Sequence, residues 1–169
     1  RKRASWFSHK GEVALPHYYK VYLAEYDVVT EIAPTERAAM FRFTFPDAES
    51  YVVVDAYDRG SSIKVIPEEN KIIGYTTRNS SGVPDNFKNY FVVVFDKPFT
   101  YKATFSNDVK PAKPDASVPV TLKEGKLEQT DFHTGAVIGF KTKKGEIVHA
   151  RVASSFISPE QAELNLKEL

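Results

Sequence analysis

The strongest constraint on the fold is a pattern of short runs in which apolar and polar residues alternate one by one, each run bounded by turn-forming residues. Tyr19, Val21 and Leu23 alternate with Tyr18, Lys20 and Tyr22, and Phe41, Phe43 and Phe45 alternate with Arg42 and Thr44. Successive side chains of a strand point to opposite faces, so each run predicts a half-buried strand. Residues 51–56, 90–96 and 136–142 are dominated by β-branched and aromatic residues, which predicts interior strands covered on both faces. Further strands are expected at 26–33, 63–66, 71–77, 100–106, 122–127 and 146–154. About a dozen short strands follow from this reading.

The punctuation agrees. Pro67-Glu68-Glu69-Asn70, Asn107-Asp108, Lys123-Glu124-Gly125 and Lys143-Lys144-Gly145 carry turn chemistry, so antiparallel neighbours are expected. Residues 78–89 and 109–119 read as long loops. One helix is expected, where Ser158-Pro159-Glu160-Gln161 supplies an N-cap serine, a proline at the first helical position and a capping-box glutamine. Ala162, Leu166 and Leu169 then share one face, and the helix is expected still to be running at Leu169. The fold class is therefore all-β, an antiparallel β-sandwich closed by a C-terminal linker helix. The expected division is a sandwich domain over 1–157, lacking its first strands, and the start of a linker over 158–169.

Composition removes several function classes. A chain of 169 residues with 42% hydrophobic and 27% charged residues has the make-up of one globular domain. Its net charge of +1 supplies no excess of cations for a row of phosphates, so a nucleic-acid partner is not expected. No apolar run approaches the roughly 20 residues of a membrane helix. Without cysteine there are no thiolate ligands, thiol nucleophiles or disulfides. Arg1-Lys2-Arg3 leads directly into Trp6-Phe7-Ser8-His9 without a signal-peptide pattern, and the expectation is a segment cut from a longer protein.

Catalytic signatures are sparse. The four histidines, His9, His17, His133 and His149, show no metal-ligand spacing, and no serine sits in a nucleophile elbow. A glycosidase needs two carboxyl groups about 5 to 9.5 Å apart, and Glu25 with Asp27, or Asp47 with Glu49, would formally supply them on one strand face. Solvated acids at strand ends are the simpler explanation. The aromatic fraction of 13% belongs mostly to the core through Phe41, Phe43, Phe45, Phe91 and Phe95. Trp6, Tyr18, Tyr19 and Tyr57 are less committed. Ser8, His9, Lys10 and Glu12 gather a hydroxyl, an imidazole, an ammonium and a carboxylate just before a strong strand, a mixture suited to polyol ligands. They are the candidate substrate-binding residues.

Phe7-Ser8-His9-Lys10, then Glu12, Val13 and Ala14, then Pro16, Tyr18 and Tyr19, resemble the Phe-Ser-His-Lys-x-Glu-x-Ala-x-Pro-x-Tyr-Tyr stretch of glycoside hydrolase family 92, the exo-acting α-mannosidases. Thr35-Glu36-Arg37 and Phe41-Arg42-Phe43-Thr44-Phe45-Pro46 are similar to that family's Thr-x-Arg and His-Arg-Tyr-Thr-Phe-Pro at the same spacing. Tyr90-Phe91 with Phe95, Pro98 and Phe99, and 152–158 leading into the helix, resemble the rest of its amino-terminal domain. Phe41 stands where the family usually has histidine, and Gly11 where asparagine or aspartate is common. The resemblance implies a supersandwich of the galactose-mutarotase type and a parent enzyme that is an inverting, calcium-dependent α-mannosidase acting on mannose-containing glycans. It further implies a C-terminal helical-barrel domain, absent here, that supplies the acid, the base and most calcium ligands. This segment would then hold no catalytic and no metal residue and would be inactive alone. A periplasmic, cell-surface or secreted location is expected. A stand-alone carbohydrate-binding module and a structural or interaction domain are the alternatives.

Overall fold

The computed structural model describes residues 5–110 and 118–169. Among them thirteen strands follow one another: β1 (Val13–Leu15), β2 (Tyr18–Leu23), β3 (Val28–Pro34), β4 (Ala38–Phe45), β5 (Ala48–Asp55), β6 (Ser61–Ile66), β7 (Lys71–Thr76), β8 (Asn89–Phe95), β9 (Tyr101–Asn107), β10 (Thr121–Glu124), β11 (Glu128–Asp131), β12 (His133–Thr142) and β13 (Glu146–Ser155). Helix α1 (Pro159–Asn165) comes last. The strands form a nine-stranded sheet in the order β1-β2-β3-β4-β13-β8-β7-β6-β11 and a four-stranded sheet in the order β10-β9-β12-β5. Every pairing is antiparallel. The expected all-β sandwich is the fold.

The alternation of β4 builds the core. Phe41, Phe43 and Phe45 lie on one face with successive ring centroids 5.9 Å apart, and Phe45 reaches Phe140 of the opposing sheet at 6.4 Å. Ala136, Ile138 and Phe140 of β12 meet Ile63, Val65, Ile72, Val93, Phe95, Val148 and Ala150 of the larger sheet. Burying each large side chain here contributes about 1.5–3 kcal/mol, which makes this layer the main source of stability.

Several expectations are corrected. Residues 51–56 are not an interior stave: β5 lies at the edge of the smaller sheet. Val52 and Val54 enter the core, while Tyr51 and Val53 face outward at 49% and 41% exposure. An unbroken β-branched run does not distinguish a doubly covered strand from one whose outer residues are apolar. Residues 122–127 are not one strand either. Gly125 adopts φ +70, and the left-handed turn sends β10 and β11 into different sheets. The Lys143–Gly145 turn forms where expected, with Gly145 at φ +80 and the Glu146 N–H donating to the Lys143 carbonyl at 2.9 Å, but it is not the expected hairpin, because β12 and β13 lie in different sheets. Part of the expected 109–119 loop lies outside the described residues.

Helix α1 covers part of the outer face of the larger sheet, over β8 and β13. Ser158 Oγ accepts from the Gln161 N–H at 3.2 Å, and Ala162 and Leu166 pack on Ala38, Val92 and Ala153. The Gln161 side chain does not close the capping box, because it donates to Asn165 Oδ1 at 3.0 Å instead. The α-helix also ends sooner than expected, passing into a 3-10 turn over Leu166–Glu168. The Glu168 carboxylate is held there by Thr35 Oγ1 at 2.7 Å and by Arg37 Nε at 2.6 Å.

Candidate functional site

The Ser8–Glu12 segment lies at the β1 edge of the larger sheet. A single 3-10 turn, His9–Gly11, forms because Ser8 caps it: Ser8 Oγ accepts from the Lys10 N–H at 3.3 Å and the Ser8 carbonyl from the Gly11 N–H at 2.9 Å. The chain then extends into β1, which brings the Glu12 carboxylate to Tyr19 of β2. Tyr19 OH donates to Glu12 Oε1 at 2.5 Å, and His9 Nδ1 lies 2.7 Å from Oε2. Phe7 meets the His9 ring at 5.1 Å, edge to face. His9 and Glu12 therefore share one cluster, as the sequence proposes. Ser8 contributes by shaping the turn. Lys10 is exposed and takes part through its backbone alone among the described residues.

Sequence reasoning missed the tyrosine hub. Adjacent residues of a strand face opposite sides, so Tyr18 and Tyr19 serve two different carboxylates. Tyr19 is in register with Ile32 and Phe41, which run in toward the core. Tyr18 faces the other way and donates to Glu31, which is also clamped by Arg42 Nε at 2.6 Å and Nη2 at 2.5 Å. The register aligns Lys20, Glu31, Arg42 and His149 across four strands of that outer face. The signal that would have found this is register, since Glu31 and Arg42 are opposed only once β3 and β4 are paired.

The electrostatics limit what Glu12 can do. The Tyr19 hydroxyl first, and His9 second, hold its carboxyl below the usual carboxylate range, while the hydrogen bond to Glu12 raises the Tyr19 phenol. An ionised carboxylate accepts hydrogen bonds and has no proton to give, so Glu12 suits a ligand's hydroxyls and does not suit a general acid. The formal acid pairs are not assembled as a strand face. Glu25 and Asp27 lie in the β2–β3 connection, where Asp27 has φ +50 and accepts from Tyr22 OH at 2.9 Å. Asp47 precedes β5 and Glu49 lies on it, both exposed. Among the described residues no group of three or more His, Cys, Asp or Glu side chains converges as a metal site requires.

The family described as the glycosyl hydrolase family 92 N-terminal domain matches residues 1–155. The chain belongs to that family. It is similar, at 38% identity and TM-score 0.87, to a solved family GH92 inverting mannosidase of Bacteroides thetaiotaomicron, covering 99% of this chain and 21% of that one. A family GH92 α-mannosidase of the same bacterium, solved alone and with mannoimidazole, is similar at 29% identity and TM-score 0.75, over 98% of this chain and 22% of that one. This family 92 domain thus spans about a fifth of the length of the solved relatives it matches. No curated protein matches the chain.

Within the domain, the edge of β1 and β2 carries both the Phe-Ser-His-Lys residues and the Tyr-Tyr pair by which the sequence resembles the family. The geometry links them: Tyr19 supplies the hydrogen bond that fixes Glu12, and Glu12 fixes His9.

Proposed function

We propose that this domain forms a wall of the substrate pocket of an α-mannosidase that removes mannose from glycans with inversion. The observation that carries the reading is the 38% identity, across 99% of the chain, to a mannosidase described as inverting. In this reading a C-terminal helical-barrel domain of the same protein provides the acid and base. The same domain holds most of the ligands of the calcium ion. His9, Glu12 and the exposed Lys10 hydrogen-bond sugar hydroxyls, and Ser8 sets the turn that presents them. The rigid sheet beneath keeps the bond oriented toward the other domain's carboxyl groups. Work on extracellular glycans fits a periplasmic, cell-surface or secreted protein.

The test is kinetic, on the full-length protein. Mannose release from an α-mannoside, appearing first as the inverted anomer by NMR, is expected, as is loss on chelation and recovery with calcium. His9→Ala and Glu12→Ala are expected to lower kcat/KM by about tenfold or more, the scale of one or two lost hydrogen bonds to a charged group. Unchanged kinetics in both variants removes the pocket role, and absence of mannose release removes the mannosidase reading.

A further inference from the structure

The outer face of the smaller sheet, which does not contain the β1 edge, carries an aromatic platform. In β12, Gly139 is in register with Tyr51 of the edge strand β5 on one side and with Tyr101 of β9 on the other. A Cβ at Gly139 would stand 2.8 Å from Tyr101 Cβ and 3.0 Å from Tyr51 Cε1. The missing side chain thus lets the Tyr51 ring rest on the strand, edge-on to Tyr101 at 5.7 Å and 86°.

A similar arrangement occurs four residues earlier, and the contrast is informative. A Cβ at Gly135 would lie 2.0 Å from Phe105 Cζ, and Phe105 is 5% exposed, as a ring whose task is packing should be. Tyr51 takes the same kind of seat at 49% exposure. Val53, 41% exposed and opposite Val137, extends the apolar strip beside it.

The flanks are polar and of both signs. Glu49 and Lys141 oppose one another on the same face one step beyond Tyr51, and Tyr101 OH donates to Glu124 Oε1 at 2.9 Å. Glu49, Lys141 and Glu124 are exposed. A π-face bordered by carboxylate acceptors and an ammonium donor matches a pyranose, whose C–H face is apolar and whose rim is hydroxylic. We propose that Tyr51, with Val53 beside it and Glu49, Lys141 and Glu124 around it, is a second glycan-binding surface that holds a sugar of a polysaccharide chain outside the catalytic pocket. Its site is independent of the pocket, and only the choice of mannan as the probe rests on the reading above.

Native electrophoresis of the full-length protein in gels with and without α-mannan tests this, with the pocket saturated by mannoimidazole. Wild-type protein should be retarded by mannan despite the inhibitor. Tyr51→Ala should lose that retardation, and Tyr51→Phe, which keeps the ring, should retain it. Hydrolysis of a small aryl mannoside, measured without inhibitor, should be the same in all three. Retardation of Tyr51→Ala equal to wild type, or no retardation of wild type, as when another part of the protein covers this face, overturns the proposal. A wild type that is retarded but releases no mannose sinks the mannosidase reading and leaves this surface standing.

Discussion

Glu31 of β3 accepts two hydrogen bonds from the Arg42 guanidinium of β4, at 2.6 and 2.5 Å, on a face that no second sheet covers. Planar guanidinium and carboxylate match as a fork, and Tyr18 adds a third donor. Glu31 is only 6% exposed because these neighbours enclose it. The pair ties β3 to β4 at the point where the candidate site's strands join the main sheet.

A pH effect follows. The Arg42 hydrogen bonds lower the Glu31 carboxyl from 4.5 to about 2, working against its burial. Because the folded value lies below the unfolded one, the unfolded chain takes up the proton first and acid favours unfolding. The stabilisation is present above about pH 4.5 and fades as pH falls toward 2. Arg42→Ala should therefore lower unfolding free energy by about 2 kcal/mol at pH 7, the scale of a lost hydrogen bond to a charged group. In urea unfolding, the gap to wild type should narrow steadily from pH 5 to pH 3. A gap independent of pH would mean that Arg42 acts through packing alone.

Tyr19→Phe isolates the hydroxyl that fixes Glu12. Tyr19 is the largest cause of the depressed Glu12 carboxyl, ahead of His9. Removing it should raise the Glu12 midpoint toward the ordinary carboxylate value, read by carbon-13 carboxyl NMR titration. His9→Ala should shift the midpoint in the same direction. A midpoint left unmoved by Tyr19→Phe would mean that the phenol does not fix the carboxylate.

How far the sequence could be read depended on whether a feature is local. The Phe41, Phe43 and Phe45 alternation, the Ser158-Pro159 helix start and the Lys143–Gly145 turn are written in neighbouring residues, and each appears where expected. The placement of β5 at an edge is not local, since Val52 and Val53 are chemically alike and only the sheet order exposes one of them. The split at Gly125 depends on a backbone angle that Lys123-Glu124-Gly125 permits without dictating. At the candidate site, Ser8, His9, Lys10 and Glu12 stood out as a chemical mixture. Their ranking required the β1–β2 register, which places Tyr19 against Glu12 and leaves Lys10 outside the hydrogen-bonded cluster.

Gly135 offers the sharpest test of the smaller sheet. It is buried, and an added Cβ would meet three ring atoms of Phe105 at 2.0, 2.6 and 2.7 Å. A rigid ring packed against His133 at 5.8 Å cannot yield by bending, so it must change rotamer or push β9 from β12. Forced overpacking of this kind costs about 1–3 kcal/mol, so Gly135→Ala should lower Tm by several degrees in a thermal melt. The double variant Gly135→Ala with Phe105→Leu removes the planar ring and should recover part of the loss, despite the smaller side chain. If the double variant is less stable than the sum of the two single changes, the ring-over-glycine contact is not the source of the strain.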